Sequence, residues 1–228
     1  MKIIVGCEES QAVCIAFRNA GHEAYSCDLK PCSGGHPEWH IIGDVLAIIQ
    51  GGAFKIQSGD LVKIQKWDMG IFFPDCTYLT CSAEWAYKDG PYHQKVKPGT
   101  LTGAERKDAR VRAANFFMAL YHCRIKRVAI ENPVGVMSSI FRKPDQVFNP
   151  YDFGDDASKK TCLWLKGLPQ LIHTGYCSPR MVNGRPRWAN QTDSGQNNLS
   201  PSENRAELRS KTYLGIASAM ANQWGNLF

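Results

Sequence analysis

The sequence predicts an open α/β fold, with a mostly parallel sheet flanked by helices. Short apolar runs rich in branched residues alternate with segments whose apolar positions recur at helical spacing. With 43% hydrophobic residues in a chain of 228, there is material for one substantial core. Two of the strand-like runs stop abruptly, one at Pro74-Asp75-Cys76 and the other at Glu131-Asn132-Pro133. Chemistry-bearing residues at strand ends are the arrangement that open α/β sheets use.

Residues 2–6, Lys-Ile-Ile-Val-Gly, predict a short buried strand. Residues 10–20 carry apolar positions at helical spacing, with Ser10 as the expected N-cap and Gly21 as the C-terminal glycine. His22 to Asp28 predicts a second strand ending in an acid. A loop containing Gly and Pro (31–38) leads to a third strand-like piece, Trp39 to Asp44, and Val45 to Gln50 predicts a short helix. The apolar strand that begins at Trp67 runs into Pro74 and Cys76. After it comes a loop-rich stretch, Ser82 to Gly103, carrying Trp85, Tyr87, Tyr92 and several lysines.

Thr102 to Tyr121 is the clearest helix, Arg127 to Ile130 the next strand, and Thr161 to Leu165 another. From His173 to Ser202 the composition turns to Asn, Ser, Gln, Gly, Pro and Arg, which predicts a recognition loop or an excursion. Arg205 to Gln223 is expected to close the chain as one helix. The expected division is one domain formed by 1–172 and 205–228, interrupted by a small insertion at 173–204.

The net charge of +6 is compatible with a nucleic-acid partner without specifying one. The nine cysteines include no C-x-x-C pair, so neither a zinc ribbon nor a thioredoxin-type site is supported, and no metal is expected. The N-terminus lacks a signal-peptide pattern and no apolar run approaches the length of a membrane span. A reduced, cytoplasmic protein with no membrane partner is expected.

Val5-Gly6-Cys7-Glu8-Glu9-Ser10 has the strand–turn–helix placement of a nucleotide-binding loop, although Gly6 alone supplies backbone freedom. Asp28 follows at the distance where a carboxylate could accept hydrogen bonds from ribose hydroxyls, and Asp44 could meet an adenine amine. Ordinary turn or cap roles are the competing explanation for both acids. Cys76 could equally be a small buried group, and Glu131 part of a strand-ending turn. Lys159 and Lys160 could be a solvated face. Trp85, Tyr87 and Tyr92 offer either a stacking surface for bases or a packed loop.

Taken in order, these elements resemble the DNA (cytosine-5)-methyltransferase family, in the compact form seen in phages and prophages. Val5-Gly6-Cys7 stands at the cofactor loop, Asp28 at the ribose acid and Gly43-Asp44 at the adenine acid. Phe73-Pro74-Asp75-Cys76 stands at the nucleophile loop and Ile130-Glu131-Asn132-Pro133 at the glutamate motif. Ser158 to Leu163 occupies the basic strand that contacts the target base, and Lys211 to Ala221 the closing helix. The resemblance covers nearly the whole chain. It departs from the family in four places: Asp75 replaces a proline, the cofactor loop has few glycines, lysines replace arginines, and the recognition region is small.

The resemblance implies a Rossmann-like methyltransferase fold and S-adenosylmethionine as cofactor. That cofactor would be held by Gly6, Cys7, Glu8, Ser10, Asp28, Leu29, Asp44, Val45, Phe73 and Pro74. It implies that Cys76 adds to the cytosine ring, Glu131 engages the ring nitrogen and Lys160 supplies the basic contact. Double-stranded DNA is the expected partner, contacted by Arg180, Arg185, Arg187 and Trp188 of the 173–204 insertion. Two alternatives stand beside it. One is the same fold acting on RNA, a free pyrimidine nucleotide or an exocyclic amine; the other is a catalytically degenerate DNA-binding or anti-restriction protein.

Overall fold

The computed structural model describes residues 1–200 and 205–227. The last residues of the expected insertion, 201–204, and Phe228 lie outside that description. Strand β1 (Lys2–Gly6) is followed by helix α1 (Ala12–Asn19), β2 (Glu23–Asp28), β3 (His40–Ile42) and the one-turn helix α2 (Val45–Ile48). A hairpin, β4 (Gly52–Lys55) and β5 (Leu61–Ile64), precedes β6 (Met69–Phe72) and the long helix α3 (Gly103–Tyr121). Then come β7 (Arg127–Pro133), α4 (Met137–Ile140), β8 (Gln146–Phe148) and β9 (Thr161–Lys166). A second hairpin, β10 (Arg180–Val182) and β11 (Arg185–Arg187), precedes α5 (Arg205–Ser210) and α6 (Leu214–Gly225).

The central sheet has seven strands in the order β3-β2-β1-β6-β7-β9-β8. Its first five members pair in parallel, while β9 runs antiparallel to both neighbours. The mixed α/β architecture with a mostly parallel sheet flanked by helices is therefore present, and it is compatible with a Rossmann-like fold. The alternation of side chains along each strand feeds a core on both faces. Ile4, Phe72, Val128 and Ile130 point to the layer containing α2 and α3, with Trp67, Phe117 and Trp164. Ile3, Val5, Ile71 and Ala129 point to the opposite layer, with Phe17 of α1 and Met220 and Trp224 of α6.

Three sequence expectations are corrected, and one hairpin had no expectation at all. Ser10 does not cap the first helix: α1 begins at Ala12, and its N-terminal amides go to Glu8. The strand expected to stop at Ile130 continues through Pro133, because β9 pairs with it there. The hairpin β4–β5, with Gly59 at φ +106° in its turn, carries no periodicity strong enough to announce it. The single closing helix is two, broken between Ser210 and Leu214. The break has a cause at Gly215, whose amide donates to Asp155 Oδ2 at 3.0 Å. A Cβ there would stand 2.1 Å from the Phe153 carbonyl oxygen, so the chain must enter α6 against the 153–155 segment. No helix among the described residues is long and apolar enough to cross a membrane.

Candidate active site

The chain leaves β1 toward β2 and β3 on one side, while β6 and β7 lie on the other. That reversal falls at the carboxyl ends of β1 and β6, the position where open α/β sheets bind ligands. Gly6 is the last residue of β1, and its carbonyl accepts from the Phe73 amide at 3.0 Å. A Cβ at Gly6 would sit 2.5 Å from Val45 Cγ2 and 2.7 Å from Phe72 Cδ1. The absence of a side chain is thus a condition of strand β1 ending there. Cys7 takes a left-handed conformation, φ 59°. Burial is the first cause of its raised thiol pKa; Asp28, Cys27, Asp44 and Asp75 add to it. Acids from β2, from the start of α2 and from the turn after β6 therefore converge on one thiol.

Asp28 and Asp44 also do the local work that the competing explanation assigned them. Asp28 Oδ1 accepts from the Lys30 amide at 3.0 Å, and Asp44 Oδ1 caps α2 by accepting from Leu46 at 2.9 Å. Each spends one carboxylate oxygen in this way. Leu29 beside Asp28 is 76% exposed, an apolar side chain presented at the strand end, whereas Val45 is buried beneath Gly6.

Glu8 and Ser10 both have local contacts within the chain. Glu8 is buried, and its two carboxyl oxygens accept from Val13 N–H (2.6 Å) and Cys14 N–H (3.2 Å) at the start of α1. These are the amides that a helix N-terminus otherwise offers to an anion. Ser10 lies under the 32–36 loop, where a Cβ on Gly34 would come within 2.6 Å of its carbonyl oxygen. Gln11 pins that loop in both directions, accepting from His36 N–H at 3.0 Å and donating to His36 O at 2.9 Å. One carboxylate oxygen in the same turn, Glu9 Oε1, is buried with no hydrogen-bond partner among the described residues.

Beyond β6, Pro74-Asp75-Cys76 begins a turn in which the Cys76 carbonyl accepts from Leu79 (2.9 Å) and Thr80 (3.0 Å). Asp75 Oδ1 accepts from both the amide and the hydroxyl of Thr77, at 2.8 and 2.7 Å. The Asp75 carboxylate is thereby turned toward Thr77. Asn132 donates from its side-chain amide to Pro74 O at 2.8 Å, fully buried. Thr80 bridges Gly135, whose lack of a side chain matters because a Cβ would lie 2.1 Å from Leu79 O. The end of β7 thus holds the turn that carries Cys76.

Glu131 is on β7, and antiparallel β9 returns the chain beside it, pairing Pro133 with Thr161. Burial raises the Glu131 carboxyl above the ordinary carboxylate value, with Lys159 and the Thr161 hydroxyl pulling it back. Glu131, Lys159, Thr161, Thr212, Tyr213 and Ile216 line one small cleft. The half-buried Cys76 thiol is raised by burial first, then by Asp75 and Glu131, and lowered by Lys159. Cys76, Glu131 and Lys159 therefore act on one another as a group. Lys160 does not join them. It is exposed and acts on Cys162, because consecutive residues entering a strand face opposite ways. Lys159 takes the place expected for Lys160.

In the 173–204 region, Trp188 is buried, stacks on Tyr151 at 4.4 Å and donates to Cys177 O at 3.2 Å. It is an anchor of the hairpin, not a groove contact. Arg180 pairs with Asp193 at 2.5 Å, and Arg187 donates to Asp193 O at 3.0 Å, so both brace the 191–196 turn. Arg185, at the hairpin tip beside Gly184, is exposed. Of the loop aromatics, Tyr87 is buried and donates to Tyr78 O at 3.1 Å, whereas Trp85 meets Tyr92 edge-on.

Sequence reasoning missed Arg106 and Arg110 on α3, which reach the Tyr78–Tyr87 segment. Arg110 sits 3.5 Å from the Tyr87 ring centroid, and Arg106 4.8 Å. Their spacing of one helical turn was a usable signal. Among the described residues no cluster of His, Cys, Asp and Glu is arranged to hold a metal ion. Neither a family model nor a curated protein matches this chain.

Proposed function

We propose that the chain is an S-adenosylmethionine-dependent methyltransferase acting on carbon 5 of cytosine in double-stranded DNA, through a covalent adduct with Cys76. One observation carries the proposal. A half-buried thiol at the end of β6 shares its electrostatic surroundings with Glu131 and Lys159, beside the position where the strand order reverses.

That position suits this cofactor. The α1 amides that would cradle a pyrophosphate are filled by the chain's own Glu8 carboxyl, which favours a nucleoside without phosphates over a dinucleotide. Asp28 and Asp44 offer acceptors for ribose hydroxyls and an adenine amine, Leu29 an apolar surface, and Gly6 close backbone approach. When bound, S-adenosylmethionine supplies an electrophilic methyl group on its sulfonium.

The remaining steps belong to the chain and the base. The target cytosine is turned out of the duplex. Cys76 adds as thiolate to carbon 6, forming a carbon–sulfur bond and moving an electron pair toward carbon 5. The thiol rests protonated, so its proton must leave as attack proceeds, and Lys159 is the cation that favours the charged form. Glu131, held toward its neutral form by burial, can donate to the ring nitrogen where negative charge develops. Carbon 5 would then bond the methyl carbon as the methyl–sulfonium bond breaks and a neutral thioether leaves. A base takes the proton from methylated carbon 5, the electron pair of that bond restores the ring double bond as the carbon–sulfur bond to Cys76 breaks, and Glu131 recovers its proton from the ring nitrogen. The exposed Arg185 and the charge of +6 supply phosphate contacts.

Bisulfite sequencing of host DNA after expression of wild type and Cys76→Ala tests the proposal. Conversion-resistant cytosines are expected with the wild type and absent with Cys76→Ala. Equal modification by both would refute the covalent mechanism. A second acceptor is favoured by Asp75, an exposed carboxylate next to Pro74 just beyond β6: an exocyclic amine, as in Pro-containing amine-methylating loops. Mass spectrometry of the methylated nucleoside separates the two, because the amine reaction leaves its methyl on nitrogen.

A further inference from the structure

The turn carrying Cys76 is gripped from helix α3 by the side chain of Arg110. Arg110 Nε donates to Tyr78 O at 2.9 Å, and its Nη2 donates to Thr80 O at 3.2 Å and to Glu84 Oε1 at 2.6 Å. Its guanidinium lies flat enough against Tyr87 to place its carbon 3.5 Å from the ring centroid. The Tyr87 hydroxyl donates to the same Tyr78 carbonyl. The turn's own bonds, from Leu79 and Thr80 to the Cys76 carbonyl, close it from within. Arg110 therefore ties two carbonyls of the turn after Cys76, those of Tyr78 and Thr80, to α3, an element rooted in the core through Ala114, Phe117 and Leu120.

Resting on the covalent-cysteine proposal, we infer that Arg110 is a positioning residue that holds the Cys76 turn in register with Glu131. It acts through geometry: the charged groups that act on the Cys76 thiol are Asp75, Glu131 and Lys159. A planar fork can serve two carbonyls and a carboxylate at once, whereas lysine's single ammonium cannot hold that arrangement. Misplacing a reacting atom by about 1 Å costs up to about a hundredfold in rate.

The test uses the full chain, tritiated S-adenosylmethionine and plasmid DNA, with Arg110→Ala and Arg110→Lys. Both should lower kcat about tenfold or more, with S-adenosylmethionine affinity held within about twofold and thermal midpoints above the assay temperature. Millimolar guanidinium should restore part of the Arg110→Ala rate and none of the Arg110→Lys rate. Cys76 alkylation by iodoacetamide, followed by peptide mass mapping, should keep its pH midpoint but run about fivefold faster in Arg110→Ala, as a loosened turn exposes the thiol. A kcat within twofold of wild type in a folded variant overturns the inference. So does a loss that guanidinium leaves untouched and that weakens cofactor binding equally. If the wild type transfers no methyl group, the functional proposal has failed, and alkylation still decides the role of Arg110: an unchanged rate overturns it, and a guanidinium-reversible acceleration sustains it.

Discussion

Asn132 donates its side-chain amide to the carbonyl of Pro74 across 2.8 Å of buried space, joining the glutamate strand to the cysteine turn. This bond spans 58 residues of sequence and fixes the spacing between Glu131 and Cys76 without touching either group. Asn132→Ala leaves the Pro74 carbonyl buried and unpaired, a cost of about 1–3 kcal/mol. Thermal unfolding should register that loss. Under the covalent proposal, kcat at temperatures where the variant stays folded should also fall, by about tenfold or more, with cofactor affinity retained. A variant destabilised but fully active would show the bond to be structural alone.

The charges around Cys76 predict opposite movements from one substitution. Burial, Asp75 and Glu131 raise the thiol and Lys159 lowers it. Alkylation by iodoacetamide should therefore accelerate only above the ordinary thiol range. Glu131→Gln removes a raising charge, so the alkylation curve moves to lower pH, while Lys159→Met moves it higher. Methyl transfer should fall in both, by about a hundredfold or more in Glu131→Gln, since loss of the ring-nitrogen partner outweighs a more available thiolate. An alkylation curve that stays in place in Glu131→Gln would separate the two groups.

Glu8 predicts a pH dependence of stability. Burial pushes its carboxyl up to about 8, against the Val13 and Cys14 amides that lower it. Between the ordinary value of 4.5 and about 8, the folded state holds a proton that the unfolded state has released. Its contribution to stability is therefore complete below 4.5 and is lost as pH rises through about 8. Thermal midpoints should decline from pH 5 to pH 9 in the wild type and more gently in Glu8→Gln, which cannot ionise. Identical slopes would mean that Glu8 is ionised in the fold throughout.

The sheet was legible because its strands are apolar runs with single, sharp ends: Gly6 and Asp28 close β1 and β2, and Asp44 and Cys76 lie just beyond β3 and β6. Pairing between distant segments was less visible. Nothing in Ile130-Glu131-Asn132-Pro133 announces that β9 will extend the strand past Ile130, because that register is set by the partner. The same pairing decides between Lys159 and Lys160, adjacent and chemically identical in sequence but facing opposite ways. The cap of α1 was hidden for a related reason: a helix start can be closed by a side chain reaching forward five or six residues, as Glu8 does. A single apolar-rich closing segment likewise gave no sign that it would break between Ser210 and Leu214, where the Asp155 carboxylate, far away in sequence, receives the Gly215 amide.

Trp188 and Arg185, three residues apart, should separate architecture from recognition. Trp188 is the buried side chain of the hairpin region, stacked on Tyr151, and Arg185 is at the exposed tip. Trp188→Ala opens a cavity against Tyr151 and should cost about 3 kcal/mol in stability. At temperatures where it remains folded, the salt dependence of duplex DNA binding should keep its wild-type slope. Arg185→Ala should leave the thermal midpoint unchanged and reduce the slope of log affinity against log salt by about 1, the signature of one lost phosphate contact. If Arg185→Ala binds duplex DNA with undiminished affinity and slope, the hairpin tip is not part of the nucleic-acid surface, and the contacts must lie with the lysines of the 88–97 loop.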